Sequence, residues 1–237
     1  MEEKTSFIGW LTLLYLLVIF FINVFSPSLS FSNEENRTLA SKPKINFNNA
    51  MDGSYFTSYN KYLEDQFWNR NMWKSLKTNF EKEIGLKKID NIYFGENNRL
   101  IEEAVVPNAD FLERRVGNIN KFIDNYNELN IEFILIPNKI GIHYNEVGAN
   151  NIQKDIYHDF VAHFADDLFP INCFDILNNH KNENIFYNTD HHYTSLAARY
   201  ISESLYDKKD VEYDKYIVNN NFIGTSANKI AYYNKAD

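Results

Sequence analysis

From Phe7 to Phe25 the chain is apolar and carries no charge, FIGWLTLLYLLVIFFINVF. About twenty such residues are what a helix needs to cross the hydrocarbon layer, and Trp10 lies near one end, where an aromatic anchor is expected. A cleaved signal peptide is the competing reading, because Ser28-Leu29-Ser30 offers small residues. The run, however, exceeds the usual signal core of roughly 7–15 residues. The expectation is a retained transmembrane anchor over residues 7–25, preceded by a short tail over residues 1–6. Charge does not orient it: Lys4 precedes the run, and Arg37, Lys42 and Lys44 follow it. A very short tail with the rest of the chain outside the cell is the simplest arrangement.

Residues 26–50 read as an extracytoplasmic tether, with Pro27, Pro43, several Ser and Asn, and little periodicity. Helical spacing begins with Tyr55, Tyr59, Tyr62, Leu63 and Phe67 and continues through Trp73, Leu76 and Phe80, with a break near Trp68-Asn69-Arg70. The stretch from Ile92 to Ile101 reads as a hairpin around a Gly/Asn turn. Phe111, Leu112, Val116, Ile119, Phe122, Ile123 and Tyr126 share one helix face. Ile131 to Ile136 is a nearly continuous apolar run closed by Pro137, the pattern of a buried parallel strand. Tyr157, Phe160, Val161, Phe164 and Leu168 predict a further helix. Another starts near Thr194, with Leu196, Ala197, Tyr200, Ile201 and Leu205 inward. This alternation argues an α/β sandwich around a mainly parallel sheet over residues 51–237. There is no internal repeat.

Composition narrows the possibilities. With 44% hydrophobic and 16% aromatic residues in 237, the chain can fill a real core. Its net charge of −8 and scattered basic residues leave no stripe for phosphates, which argues against a nucleic-acid partner. Cys173 is the one cysteine, so no internal disulfide or cysteine-based metal site can form. It reads as a buried small hydrophobe within Phe169-Pro170-Ile171-Asn172-Cys173-Phe174.

The dense chemical cluster is Asn188-Thr189-Asp190-His191-His192-Tyr193-Thr194. It precedes a helix capped by Thr194 or Ser195, so it lies on a loop at a helix N-terminus. An Asp two residues before a His can bond the ring, fix its tautomer and stabilise the imidazolium formed in proton transfer. Two bland alternatives remain. The cluster can simply cap and solvate a helix start, or one carboxylate and two imidazoles can ligate a metal. Adjacent residues rarely aim both rings at one ion, and His143, His158, His163 and His180 follow no ligand spacing.

On these residues the chain resembles the DHHW protein family, which is similar to the alginate O-acetylation proteins and their SGNH-hydrolase-like domains. The motif stands here as Asp190-His191-His192-Tyr193. Glu35-Asn36-Arg37-Thr38-Leu39-Ala40 with Pro43 resembles the family's post-anchor signature, and Asp65-Gln66-Phe67-Trp68-Asn69-Arg70 its entry helix. Tyr93-Phe94-Gly95 to Leu100-Ile101 resembles its hairpin, Ile136-Pro137-Asn138-Lys139 a strand-end element, and Phe222-Ile223-Gly224-Thr225 a Gly-containing element after the site. The resemblance implies an SGNH-hydrolase-like three-layer sandwich, with Asp190 orienting His192 as general base. His191 packs beside them or lines the pocket. Tyr193 stands where the family has Trp, which keeps an aromatic wall and adds a hydroxyl. Lys139 lines the site or is a solvated surface lysine.

Those relatives carry their nucleophilic serine in a Gly-Asp-Ser block after the D-x-H pair, and this chain contains none. Ser195, Ser202 and Ser204 fall within the predicted helix. Ser226, in Gly224-Thr225-Ser226, has a glycine turn but no apolar strand leading into it, so the nucleophile is unassigned. The ending Ala231-Tyr232-Tyr233-Asn234-Lys235-Ala236-Asp237 does not resemble a closing element, and the expectation is a truncated chain, inactive alone. The resemblance implies a single-pass protein of the cell membrane acting in O-acetylation of a polysaccharide. A multi-pass membrane acyltransferase would supply acetyl groups, and no metal or soluble cofactor would be needed. A non-catalytic polysaccharide-binding or scaffold role is the alternative, and a metal-dependent phosphoesterase with Asp-His-His ligands is a third.

Overall fold

The computed structural model describes residues 2–164, 171–206, 214, 216–234 and 237, with side chains from Phe7 onward. Leu168, Phe169 and Pro170 lie outside the described residues. The chain forms two compact units, Met1–Lys77 and Thr78–Asp237.

The first unit opens with helix α1 (Glu2–Phe25). Its segment Phe7–Phe25 has mean hydropathy 2.4 and is wholly unburied, and it is long and apolar enough to cross a membrane. Its 19 residues at about 1.5 Å each reach about 28 Å, the thickness of a hydrocarbon layer. Strands β1 (Phe31–Ser32) and β2 (Arg37–Thr38) then pair antiparallel. Helix α2 (Phe47–Met51) starts with an Asn46–Asn49 capping box, and α3 (Ser54–Gln66) follows. The break expected near Trp68 is present: Phe67 is extended and Asn69 takes φ 51° before α4 (Arg70–Glu83) begins.

Carboxylates hold this unit together. Arg37 forks onto Asp65, with NH2 to Oδ1 at 2.6 Å and NH1 to Oδ2 at 3.0 Å, and Ala40 N donates to Oδ2 at 2.8 Å. Glu35 accepts from Arg37 Nε at 2.6 Å, Arg70 NH1 at 2.7 Å and Lys74 Nζ at 2.8 Å. The stretch expected to be a plain tether is therefore partly built. Its order comes from charged pairs and not from apolar periodicity, so hydrophobic patterning misses it. Burial pushes Glu35 up, but the Lys74, Arg70 and Arg37 donors outweigh it and bring the pKa down to about 2. The Arg37 fork, against a smaller burial effect, does the same for Asp65, also to about 2.

In the second unit β3 (Lys88–Ile89), β4 (Ile92–Phe94) and β5 (Leu100–Glu102) form an antiparallel sheet in that order. The β4–β5 turn uses Asn97 at φ 54° and Asn98 at φ 62°, conformations asparagine tolerates better than most residues. Helix α5 (Ala109–Asn125) is capped by Asn108, whose Oδ1 accepts from Asp110 N at 2.8 Å. Strand β6 (Ile134–Leu135), helices α6 (Lys139–His143) and α7 (Ile152–Val161), strand β7 (Ile171–Asn172) and helix α8 (Cys173–Asn179) follow. Helices α9 (Ser195–Tyr206) and α10 (Thr225–Ile230) complete the described elements.

Among the described residues the expected mainly parallel sheet is not present. Among the described residues β6–β7 is the one parallel pairing, over two residues of each strand, and the architecture is a mixed helix and sheet fold with small sheets. Ile131 to Ile136 is apolar because Ile131 and Phe133 pack against Val116, Phe160 and Phe164, not because its whole length joins a ladder. The main core gathers Ile142, Tyr157, Cys173, Phe174, Leu177, Ile185, Phe186, Ala197 and Ile201. Cys173 is fully buried within it, as a small hydrophobe should be. A second cluster joins Ile89, Ile92 and Leu100 of the antiparallel sheet to Ala227, Ile230 and Tyr232.

The lowered Asp65 pKa carries a sign. A carboxyl lowered in the fold contributes stability above its unfolded value, near 4, that is lost as pH falls toward 2. Asp65→Asn is expected to cost about 2 kcal/mol at pH 7, and the gap to the parent protein should close progressively between about pH 4 and 2. Denaturant unfolding across that range measures it; a pH-independent gap contradicts the assignment.

Candidate functional site

The site loop grows out of the main core. Ile185 and Phe186 enter it buried, and its neck is closed by an isolated antiparallel bridge between Phe186 and Tyr193. Tyr187 N donates to His192 O at 3.3 Å and Thr194 N to Ile185 O at 2.9 Å. Thr194 starts α9: its hydroxyl donates to Asn184 O at 2.7 Å and lies 3.5 Å from Ala197 N.

Asp190, 4% exposed, is the centre of the loop. Its Oδ1 accepts from His192 N at 2.9 Å and His192 Nδ1 at 2.5 Å. Its Oδ2 accepts from Thr225 N at 2.8 Å and the Thr225 hydroxyl at 2.9 Å. Burial pushes this carboxyl up, but the Thr225 and His192 donors outweigh it and hold it far below the usual carboxylate range. An ionised Asp190 makes Nδ1 of His192 the protonated nitrogen. Nε2 then carries the lone pair, on a side chain that is 65% exposed.

His191 takes a parallel pose. Its ring lies 3.8 Å from that of His192 at 36°, and its Nδ1 donates to the Thr225 hydroxyl at 2.8 Å. Thr225 thus accepts from one imidazole while donating to the carboxylate that holds the other. Tyr193, 39% exposed, stands at the loop neck.

Lys139 is buried beneath the loop, at the start of α6. Its Nζ donates to the carbonyls of Leu100 at 2.7 Å, Asn188 at 3.3 Å and Asp190 at 2.5 Å. Burial lowers its pKa to about 8. It touches backbone and so positions the loop. On the other side Asp237 accepts from Asn188 N, from Thr189 N at 3.0 Å and from the Thr189 hydroxyl at 2.5 Å. Gly224 N donates to that same hydroxyl at 2.8 Å. A Cβ on Gly224 would collide with Asp190 Cβ and stand 2.6 Å from its Cα and N, so only glycine permits this approach.

Ser226 is fully buried and its hydroxyl donates to Glu102 Oε1 at 2.9 Å, an oxygen that lies 3.9 Å from His191 Nδ1. Ser195, Ser202 and Ser204 lie within α9. Asp190, His191 and His192 each present a ligand atom within 4.8 Å of the others. As placed, both Nδ1 atoms and both Asp190 oxygens already have protein partners, so a cation would meet only the imidazole Nε2 atoms. The remaining histidines serve elsewhere. His180 stacks on Tyr200 at 3.6 Å, His163 Nδ1 donates to Asp159 O at 2.6 Å, and His158 meets Tyr157 edge-on at 5.7 Å. His143 is buried beside Arg99 and Glu146, and burial lowers its pKa to about 3.

Thr225, Asp237 and Glu102 are absent from the sequence reading of the site. The one signal toward Thr225 is its place in the Phe222–Thr225 element, which carries no chemistry of its own.

No family model matches the sequence, and no curated protein does. Among solved structures, a DHHW family protein from Eubacterium siraeum is similar with a TM-score of 0.50 and 17% identity, over 63% of this chain and 53% of that one. PatB1 of Bacillus cereus matches with a TM-score of 0.43 and 18% identity over 56% of this chain and 51% of its own. Its form with a sulfonyl adduct gives 0.41 and 15% over 55% and 48%. The chain thus spans about half the length of the solved structures it matches. Over 63% of its residues it is similar in fold to a DHHW family protein.

Proposed function

We propose that the chain is an extracytoplasmic, SGNH-hydrolase-like component of polysaccharide O-acetylation, held in the cell membrane by α1, with His192 as general base and Asp190 as its orienting acid. One observation carries the reading: buried Asp190 Oδ1 lies 2.5 Å from Nδ1 of an imidazole that is otherwise largely exposed. That arrangement leaves Nε2 to take the proton of an attacking hydroxyl, while the carboxylate stabilises the imidazolium that results. In the acylation step a serine oxygen attacks the acetyl carbonyl, its proton passes to His192, and the donor's alcohol leaves with that proton. A sugar hydroxyl then attacks the serine ester, giving its proton to His192, which returns it to the departing serine oxygen. A multi-pass membrane acyltransferase would deliver the acetyl group, and Tyr193 would offer the sugar an aromatic wall. No metal or soluble cofactor enters these steps.

The serine is the part without an assignment in this chain. The buried Ser226–Glu102 hydrogen bond favours a second reading, a non-catalytic polysaccharide-binding or scaffold component of an acetylation complex.

Turnover of p-nitrophenyl acetate separates the readings. A form of the protein that carries the nucleophilic serine is expected to hydrolyse it at a rate that falls about 100-fold or more in His192→Ala, the contribution of a positioned general base. EDTA should leave the rate unchanged. Equal rates for the two proteins remove His192 from the chemistry. No turnover in either, with retention on immobilised polysaccharide, selects the scaffold; a rate abolished by EDTA and restored by Mn²⁺ selects metal-dependent chemistry at Asp190, His191 and His192.

Two substitutions probe the support of the pair. Gly224→Ala should push Asp190 away and erase the low-field Nδ1 proton resonance of His192, with activity falling alongside. A retained resonance contradicts the close approach. Lys139→Met leaves buried carbonyls without their donor and should cost about 2 kcal/mol or more in denaturant unfolding.

A further inference from the structure

Asn23 lies in the last turn of the apolar span and has both ends of its amide occupied. Its Nδ2 donates to Ile19 O at 2.8 Å, and its Oδ1 accepts from Trp68 N at 2.7 Å. An amide in hydrocarbon costs free energy unless such partners are supplied. Here the second partner is the backbone of the break between α3 and α4. Further bonds hold the chain after α1 against α3. Ser28 Oγ lies 2.7 Å from Tyr62 OH, Leu29 N donates to Gln66 Oε1 at 2.8 Å, and Gln66 Nε2 donates to Leu29 O at 2.8 Å.

The consequence is one of depth. Trp68 N is bonded to residue 23 of a span that ends at Phe25, so the turn carrying it sits level with the end of that span. Phe67 and Trp68 line a cavity of about 530 Å³ together with Leu29 and Phe31. All four keep substantial exposure: 40% and 39% for Phe67 and Trp68, 62% and 42% for Leu29 and Phe31. Three charged groups line the same cavity: Asp65 pairs with Arg37 and Arg70 with Glu35 within the unit, and Glu34 accepts from the Ser32 hydroxyl at 3.3 Å. Large aromatics beside a span end match the boundary between headgroups and chains, where one side of the ring is apolar and the other wet.

We propose that this corner, Phe67 and Trp68 with Leu29 and Phe31, is seated in the headgroup layer of the bilayer that α1 crosses. The occupant of the exposed apolar surface is lipid. The first unit is a rigid collar at the membrane surface, and the inference rests on reading α1 as a retained span.

The test uses the whole chain in lipid nanodiscs. Trp10→Phe with Trp73→Phe leaves Trp68 as the only tryptophan; Trp68→Phe with Trp73→Phe leaves Trp10. Trp68 emission is expected to fall about twofold more with lipids brominated near the headgroup than near the chain end, and acrylamide should quench it about threefold less than a free tryptophan amide. Bromolipid quenching of Trp10 alone, with Trp68 as open to acrylamide as the free amide, overturns the collar while the span stands. Trp68 shielded from both quenchers overturns it in favour of a protein partner. Trp10 untouched by bromolipid removes the span and the collar together.

Discussion

The second unit depends on one saturated carboxylate. Asp190 accepts from His192 N, His192 Nδ1, Thr225 N and the Thr225 hydroxyl, so a charge buried to 4% exposure has each oxygen doubly bonded to donors. Burying an ion without such partners costs several kcal/mol. With them, the ionised form is the stable one, and both imidazoles become oriented through their Nδ1 atoms. Among the described residues no other group bonds His192 Nδ1, so without the carboxylate nothing there fixes which nitrogen is bare.

Holding Asp190 demands more than its own bonds. Its carbonyl is taken by Lys139, whose ammonium also holds Leu100 O and Asn188 O and so ties the loop to β5. Its backbone is packed against Gly224, where a side chain has no room. A buried lysine is unfavourable by itself, which is why its pKa falls to about 8. The carbonyls it satisfies are what make its burial tolerable. Thr189, bonded at once to Asp237 and Gly224, closes the frame on the opposite side.

How much of this is legible in the sequence follows from distance along the chain. The Asp190–His192 contact spans two residues, and the D-x-H spacing is enough to expect it. The Thr225 bonds span 35 residues and the Lys139 bond to Asp190 spans 51, and no local pattern encodes either. The fold divides the same way. Helices with a long apolar stripe, such as α5, and the Asn-rich β4–β5 turn announce themselves. Six-residue α10 and two-residue β7 have no stripe to read, and tertiary contacts alone define them. The apolar run at Ile131–Ile136 misleads for a related reason: burial marks where a side chain goes, whereas a ladder also requires a neighbouring backbone. In the first unit, Glu35 and Asp65 order a segment with little apolar periodicity, and charge pairs across 28 to 39 residues have no period to detect.

The loop also shows why two kinds of force are needed. At its ends, Ile185, Phe186, Ala197 and Ile201 are buried in the main core, so apolar packing fixes where the loop leaves and returns. Between them, residues 188–192 read Asn-Thr-Asp-His-His and contain nothing that apolar burial could fix. Hydrophobic burial is non-directional and cannot aim an imidazole. Hydrogen bonds can, because they weaken steeply with angle. Directional bonds therefore set the middle of the loop, but they survive only where water is excluded from competing for the carboxylate. The core supplies that exclusion on one side and Gly224 lies against Asp190 on the other, while the His192 side chain stays 65% exposed.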